Sequence, residues 1–345
     1  MSYKTCLIAD LFCGPGKNGK ENGSPIILLE KLKYILTAPQ LKQNRNLQIF
    51  ILFNDQNSDN IENLKKELKS TKYDENLIHI TIENSKYEDL LPRLLRKPEK
   101  LKIPKFFFLD PFTYTNVKME DLHYLMNLYR TEVLLFSPLF HTYRFTSASY
   151  KSDHKTRKFI EQFTTRGMSD YRNAQDYMTS IKDKLVEEIK VSNKQNPYVR
   201  PVLLDDGGSK NALFLITNHQ KGMLLMNKIL LKNTEDGSTI YIKGINQSRI
   251  FPVEVASNYY ENYKNKFLNL LKQNIEVSNK QICDFTIREG FTPKQAKKII
   301  KELYDLKRLN IFSEKGDAIS NSMKWKIADN ISDVTILKWI SNEKK

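Results

Sequence analysis

Glycine is scarce in this chain, with 12 in 345 residues, about half the usual share of roughly 7%. Cysteine is scarcer still. Cys6, Cys13 and Cys283 are odd in number and show no CxxC spacing, which excludes a disulfide framework and a structural zinc site and implies a reducing compartment. No metal is expected. Long hydrophobic runs are also missing: no stretch reaches the roughly 18 apolar residues of a membrane span, and no small-residue cleavage site follows the first apolar run. The expectation is a cytoplasmic protein with neither signal peptide nor membrane span.

What is present in excess is positive charge. Lys and Arg number 55 against 40 Asp and Glu, a net +15 with a pI near 9.4. Such an excess points to a polyanionic partner, because phosphate backbones reward Lys and Arg through counterion release. Lysine-rich composition serving only solubility is the alternative. The length exceeds what one core of roughly 250 to 300 residues holds, so two unequal domains are expected.

Apolar runs of strand length alternate with amphipathic stretches of helix length. TCLIADLF (5–12), LQIFILF (47–53), LIHITIE (77–83), KFFFLD (105–110) and EVLLFSPLF (132–140) read as strands. Between them PIILLEKLKYIL (25–36), SDNIENLKKELK (58–69, opening on a Ser cap), YEDLLPRLLRK (87–97) and KMEDLHYLMNLYR (118–130) read as helices. Five buried strands with helical crossovers imply a parallel sheet covered on both faces. A polar, mostly helical stretch follows at 143–196. Then two apolar runs joined by DDGGSK (198–217) read as a hairpin. By fold-level analogy, five parallel strands followed by an antiparallel pair is the strand inventory of the class I methyltransferase fold, a Rossmann-like sheet.

From about Tyr259 the chain turns helical again. ENYKNKFLNLLKQ, NKQICDFTIREG and TPKQAKKIIKELYDLKRL read as three helices, the last with Thr292 as cap and Pro293 at its first position. NIFSEKGDAISNSMKWKI offers two short strands around Gly316. Three helices and a hairpin is the layout of a winged helix. The expected division is a methyltransferase-like domain over 1–257, with 143–196 as a helical insertion, and a winged-helix-like domain over 258–345.

Four of the few glycines, Gly14, Gly16, Gly19 and Gly23, fall within ten positions after the first strand. A strand ending in Asp10, then DLFCGPG, then a helix is a recurrent cradle for S-adenosylmethionine, with glycines admitting the ligand and positive φ. Asp10 would lie on the methionine side, and Gly14 and Gly16 would form the turn. Asp55 stands where a ribose acceptor is needed at the end of the second strand. Glu83, with Asn84, stands where adenine contacts are often made, and fits a helix cap equally well. At the fourth strand, Asp110, Pro111 and Phe112 resemble a shortened [DNS]PP[YFW] segment of amino-methyltransferases, with Phe112 in the second proline's place. There the acidic group accepts a hydrogen bond from the target amine, and Phe112 or Tyr114 supplies the stacking ring. A buried strand simply ended by Asp and Pro is the bland alternative. No Pro-Cys dipeptide occurs, which argues against a cysteine nucleophile for pyrimidine C5 chemistry.

DLFCGPG with GSPIILLE behind it, Asp55, FFFLDPF and ALFLITNHQKGMLLMNKIL (212–230) together resemble the three-Cys-motif partner family of bacterial proteins. Its most specific piece is the run of Thr217, His219, Gly222 and Met226. The resemblance implies a class I methyltransferase-like protein that accompanies a radical-enzyme-like partner bearing a three-cysteine motif. It implies S-adenosylmethionine at Asp10, Gly14, Gly16 and Asp55, and chemistry at Asp110 to Phe112. It assigns no role to His219, which reads as a cap or turn residue.

In the last helix Ala296, Ile299, Leu303 and Leu306 mark one face, while Lys294, Lys297, Lys298 and Lys301 recur on another. That lysine row suits phosphate contact in nucleic acid, DNA or RNA, and suits a solvated face as well. The function expected is methyl transfer from S-adenosylmethionine to nucleic acid, at a base nitrogen. The rival expectation is a non-catalytic, methyltransferase-like protein that recruits its three-cysteine partner to nucleic acid.

Overall fold

The computed structural model describes residues 4–37, 47–96, 102–147, 154–189, 196–205, 210–234, 237–241, 252–318 and 334–340. The chain forms two compact units: 1–201 with 209–218, and 202–208 with 219–345.

In the first unit β1 (Thr5–Asp10) runs into a small ribbon, β2 (Lys17–Asn18) and β3 (Glu21–Asn22), and then into α1 (Ser24–Leu36). The chain continues through β4 (Gln48–Asn54), α2 (Ser58–Ser70), β5 (Ile78–Glu83), α3 (Tyr87–Leu95), β6 (Lys105–Leu109), α4 (Met119–Met126) and β7 (Thr131–Ser137). Helices α5 (Leu139–Tyr143), α6 (His154–Phe163) and α7 (Ala174–Glu188) fill the polar stretch, followed by β8 (Tyr198–Asp205), which runs on into the second unit from Val202, and β9 (Lys210–Thr217).

Among the described residues the sheet has eight strands; beyond an edge strand that pairs with the end of β8, the order is β8-β9-β7-β6-β1-β4-β5. Strands β5, β4, β1, β6 and β7 are parallel, and β9 pairs antiparallel with β7, from Glu132 opposite Thr217 to Ser137 opposite Ala212. The seventh strand of the series thus lies between the fifth and the sixth, which makes this a class I methyltransferase sheet. Strand β1 sits near the middle with Ala9 and Leu11 fully buried. Under it, α2 buries Ile61, Leu64 and Leu68 at helical spacing against Leu29, Ile51 and Phe53.

The second unit holds α8 (Gln220–Asn233), β10 (Thr239–Tyr241, parallel to the end of β8) and α9 (Pro252–Gln273). It continues with β11 (Val277–Ser278), α10 (Asn279–Arg288), α11 (Pro293–Asp305), β12 (Leu309–Ser313) and β13 (Thr335–Trp339). The last strands form a sheet in the order β11-β13-β12. Its core centres on Tyr263, whose ring stacks on Phe291 at 4.2 Å and whose hydroxyl bonds the Thr286 hydroxyl at 2.9 Å.

Local details depart from the sequence reading. The cap of α2 is Asn57, whose side chain accepts from the Asp59 amide, and Ser58 is already helical. Leu306 is not on the buried face of α11. It is the C-cap residue and 65% exposed, while Ile300 joins Ala296, Ile299 and Leu303 inside. After Gly316 a single bridge joins Phe312 to Ala318, and residues 319–327 of the expected second strand lie outside the described residues. The strand that pairs along β12 is instead β13, whose Thr335 and Leu337 are buried in alternation.

Candidate active site

Parallel sheets of this kind present their ligand edge where the strands end. Asp10, Asn54, Glu83 and Asp110 all stand at that edge, on β1, β4 and β5 and just past β6.

Asp10 is 3% exposed. Its Oδ1 accepts from the Phe12 amide at 3.3 Å and its Oδ2 from the Ser24 hydroxyl at 2.6 Å, so it ties the start of α1 to the end of β1. Burial pushes its carboxyl up to about 7; the two hydrogen bonds oppose this, and the nearby carboxylates of Asp110 and Asp55 add to it. Asp110 follows β6, and desolvation by the protein around it pushes its carboxyl up to about 6. Carboxyls raised in this way are poised to receive a positive charge or a proton.

The glycine loop is held from the next strand. Asp55 Oδ2 accepts from the Gly14 amide at 2.9 Å and its Oδ1 from the Asn57 amide at 2.8 Å. Gly14 has φ +63°, with open space where a Cβ would stand. Gly16 has φ +83°, and a Cβ there would meet Leu64 Cδ1 at 3.0 Å. Beyond them the Gly23 amide closes the ribbon on the Gly16 carbonyl at 2.7 Å, and Lys17 pairs with Glu67 at 2.6 Å. Cys13, inside this loop, is buried and its thiol is pushed far up by burial, so it stays protonated.

Asn54 and Ser24 complete the frame, and the sequence reading gave neither a role. Asn54, 1% exposed, donates to the Leu11 and Ser85 carbonyls and accepts from the Ser85 amide, joining three strand ends. A buried Asn before a candidate acid was the available signal. Asn84 donates to the Asp55 carbonyl at 2.8 Å, and Glu83 faces Arg93 at 3.6 Å.

A narrow cleft of about 240 Å³, including the part open to solvent, lies against Leu11, Phe12, Asn54, Ser85, Tyr87 and Phe112. The Phe12 and Tyr87 rings stack at 5.0 Å. Pro111 is buried, whereas Phe112 is 59% exposed. Tyr114 is not available in the same way, because its hydroxyl bonds Thr156 of α6 and its ring packs on Phe159 at 4.9 Å. Phe112 is therefore the ring at the cleft mouth.

In the second unit, Lys294, Lys297, Lys298 and Lys301 are all exposed on α11, opposite its buried face. The order helix, short strand, helix, helix and two longer strands is that of a winged helix, and residues 243–316 match the family model described as a GMT-like wHTH domain. The C-terminal domain is a winged helix-turn-helix. His219 caps α8, its Nδ1 accepting from the Lys221 amide at 3.1 Å.

No curated protein matches the chain in sequence. Among solved structures, a protein from Pyrococcus horikoshii is 11% identical, covering 61% of this chain and 81% of its own, with a TM-score of 0.30. A SAM-dependent methyltransferase from Methanosarcina mazei is 9% identical, covering 63% and 94%, with a TM-score of 0.27. An uncharacterized protein from Listeria monocytogenes is 9% identical, covering 85% and 92%, with a TM-score of 0.30. The fold itself rests on strand order and direction. No helix among the described residues is long and apolar enough to cross a membrane.

Proposed function

We propose that the protein is a cytoplasmic S-adenosylmethionine-dependent methyltransferase acting on nucleic acid, at a base nitrogen. The observation that carries this reading is the placing of Asp10 and Asp110 at neighbouring strand ends, with a positive-φ glycine loop and an exposed ring at the same end of the sheet.

The donor set fits such a cofactor: buried carboxylates for its positive end, the Gly14 loop for close approach, and stacked aromatic rings beside the cleft. When bound, S-adenosylmethionine supplies an electrophilic methyl group on a sulfonium. Asp10 would hold the cofactor's cationic end. Asp110, as the carboxylate, accepts a hydrogen bond from the target amine and takes the proton released as the nitrogen gains the methyl group. Phe112 stacks on the base, and Phe12 and Tyr87 exclude water from the cleft. Alignment and fixed charge then account for the acceleration, with no covalent intermediate. The net +15 charge and the α11 lysines draw in the polyanion.

Two observations favour a second reading, a non-catalytic protein that recruits a partner to nucleic acid. The cleft is narrow, and both Asp55 oxygens are taken by the loops' own amides. Calorimetry with S-adenosylmethionine separates the two. Micromolar binding, with methyl transfer abolished in Asp110→Ala while cofactor affinity stays within about twofold, supports the enzyme. Absence of binding in the intact chain rejects it for the recruiter.

A further inference from the structure

The loop after β6 borders more than the cofactor cleft. Its Phe112 and Asn116 face the cleft, while Thr115 and Lys118 face a separate open groove of about 1170 Å³, including its solvent-open part. Helix α6 supplies the opposite wall with Lys155, Lys158 and Gln162, and the start of α4 supplies Glu120 and Asp121. The groove lies entirely within the methyltransferase-like unit.

Its chemistry is divided in a way that suits one class of ligand. Lys155 and Lys158 lie on the exposed side of α6, away from Thr156, Phe159 and Phe163, which are buried. Lys118 is exposed at the N-cap of α4. The acidic groups are held in place: Asp121 accepts from the Lys118 amide at 2.9 Å, and Glu120 accepts from Gln162 Nε2 at 3.2 Å. Lysines meet phosphates, and fixed carboxylates and amides read the amino edges of bases. Tyr114, bonded to Thr156 and packed on Phe159, fixes the groove's two walls to each other.

Resting on the methyltransferase reading above, we infer that this groove binds the nucleotide next to the target in a nucleic-acid strand, its phosphates on Lys118, Lys155 and Lys158 and its base edge on Glu120 and Gln162. The strand is single or locally opened, since the target base must leave its stack to reach Asp110.

The test uses the full chain and a fluorescein-labelled 20-mer, as single-stranded DNA, single-stranded RNA and duplex DNA, followed by anisotropy across a salt series. Lys155→Glu with Lys158→Glu is expected to weaken single-strand binding at least tenfold and to flatten the log–log salt slope by about 1.5 to 2. Lys155→Arg with Lys158→Arg restores both, which separates lost charge from misfolding. Lys294→Glu with Lys298→Glu serves as the comparison and weakens DNA and RNA alike. An unchanged slope and affinity in the α6 glutamate variant overturns the groove assignment, as does a preference for duplex that survives in it. Calorimetry with S-adenosylhomocysteine on the same samples keeps the two readings apart: groove-dependent strand binding without cofactor binding rejects the enzyme and leaves the groove standing.

Discussion

The Ser24 hydroxyl donates to Asp10 Oδ2 at 2.6 Å, joining the first turn of α1 to the end of the central strand. Hydrogen bonds to a charged group contribute about 1.5–3 kcal/mol. Ser24→Ala should therefore lower the thermal midpoint and push the Asp10 carboxyl higher still, because one of the bonds holding it down is lost. Cofactor affinity at pH 7 should fall about 3- to 10-fold and recover at pH 8.5, which calorimetry at the two pH values would reveal.

The two loop glycines should respond differently to alanine. At Gly14 there is open space for a Cβ, so the cost is that of a left-handed backbone alone, about 1–2 kcal/mol. At Gly16 the same strain is joined by a 3.0 Å approach to Leu64. Denaturant unfolding should rank Gly16→Ala as the less stable variant, while Gly14→Val should lose cofactor binding with its fold retained by circular dichroism.

The raised carboxyls give opposite signs for stability and for activity. Asp10 titrates near 7 when folded, well above an unfolded aspartate, so its contribution to stability is full in acid and is lost as pH rises through about 7. Asp10→Asn should flatten that part of the stability–pH curve. Activity runs the other way, because Asp110 must be ionised to accept the amine's hydrogen bond. At saturating cofactor, kcat/KM for the acceptor should rise through about pH 6, and Asp110→Asn should remove the rise with at least a hundredfold loss of rate.

Tyr263 should be the weak point of the winged helix. Truncation to alanine removes a ring that is 2% exposed and stacked on Phe291, a loss of about 3–5 kcal/mol. Tyr263→Phe keeps the ring and loses only the bond to Thr286, about 1 kcal/mol. Urea titration followed by tyrosine fluorescence should show the contrast.

The parallel sheet and the helices of the winged helix were legible because the five parallel strands are apolar runs and the helices bury one face, as in FFFL of β6 or Ala296, Ile299 and Leu303 of α11. The division of labour among the acids was not. Asp10, Asp55 and Asp110 look alike in a sequence, and what separates them is their surroundings: Asp10 accepts from Phe12 and Ser24, Asp55 from Gly14 and Asn57, and Asp110 is set apart by its desolvation. The Asp55 bond to Gly14 spans a separation of 41 residues, which no local pattern encodes. Leu306 misled because the helical period continues one step past the point where the helix stops. Strand β13 stayed hidden because its partner lies across a long connection, without the tight turn that marks a hairpin.

The antiparallel insertion of β9 beside β7 also governs how the chain is made. Strand β7 is complete at Ser137, but its neighbour begins only at Lys210. A ribosome moving at about 5–20 residues per second needs several seconds to deliver everything between. Throughout that interval VLLF of β7 is an unpaired edge, the kind of surface that recruits strands from other chains. Nascent chains stalled between these points should be the ones that chaperones hold and that aggregate when chaperones are scarce.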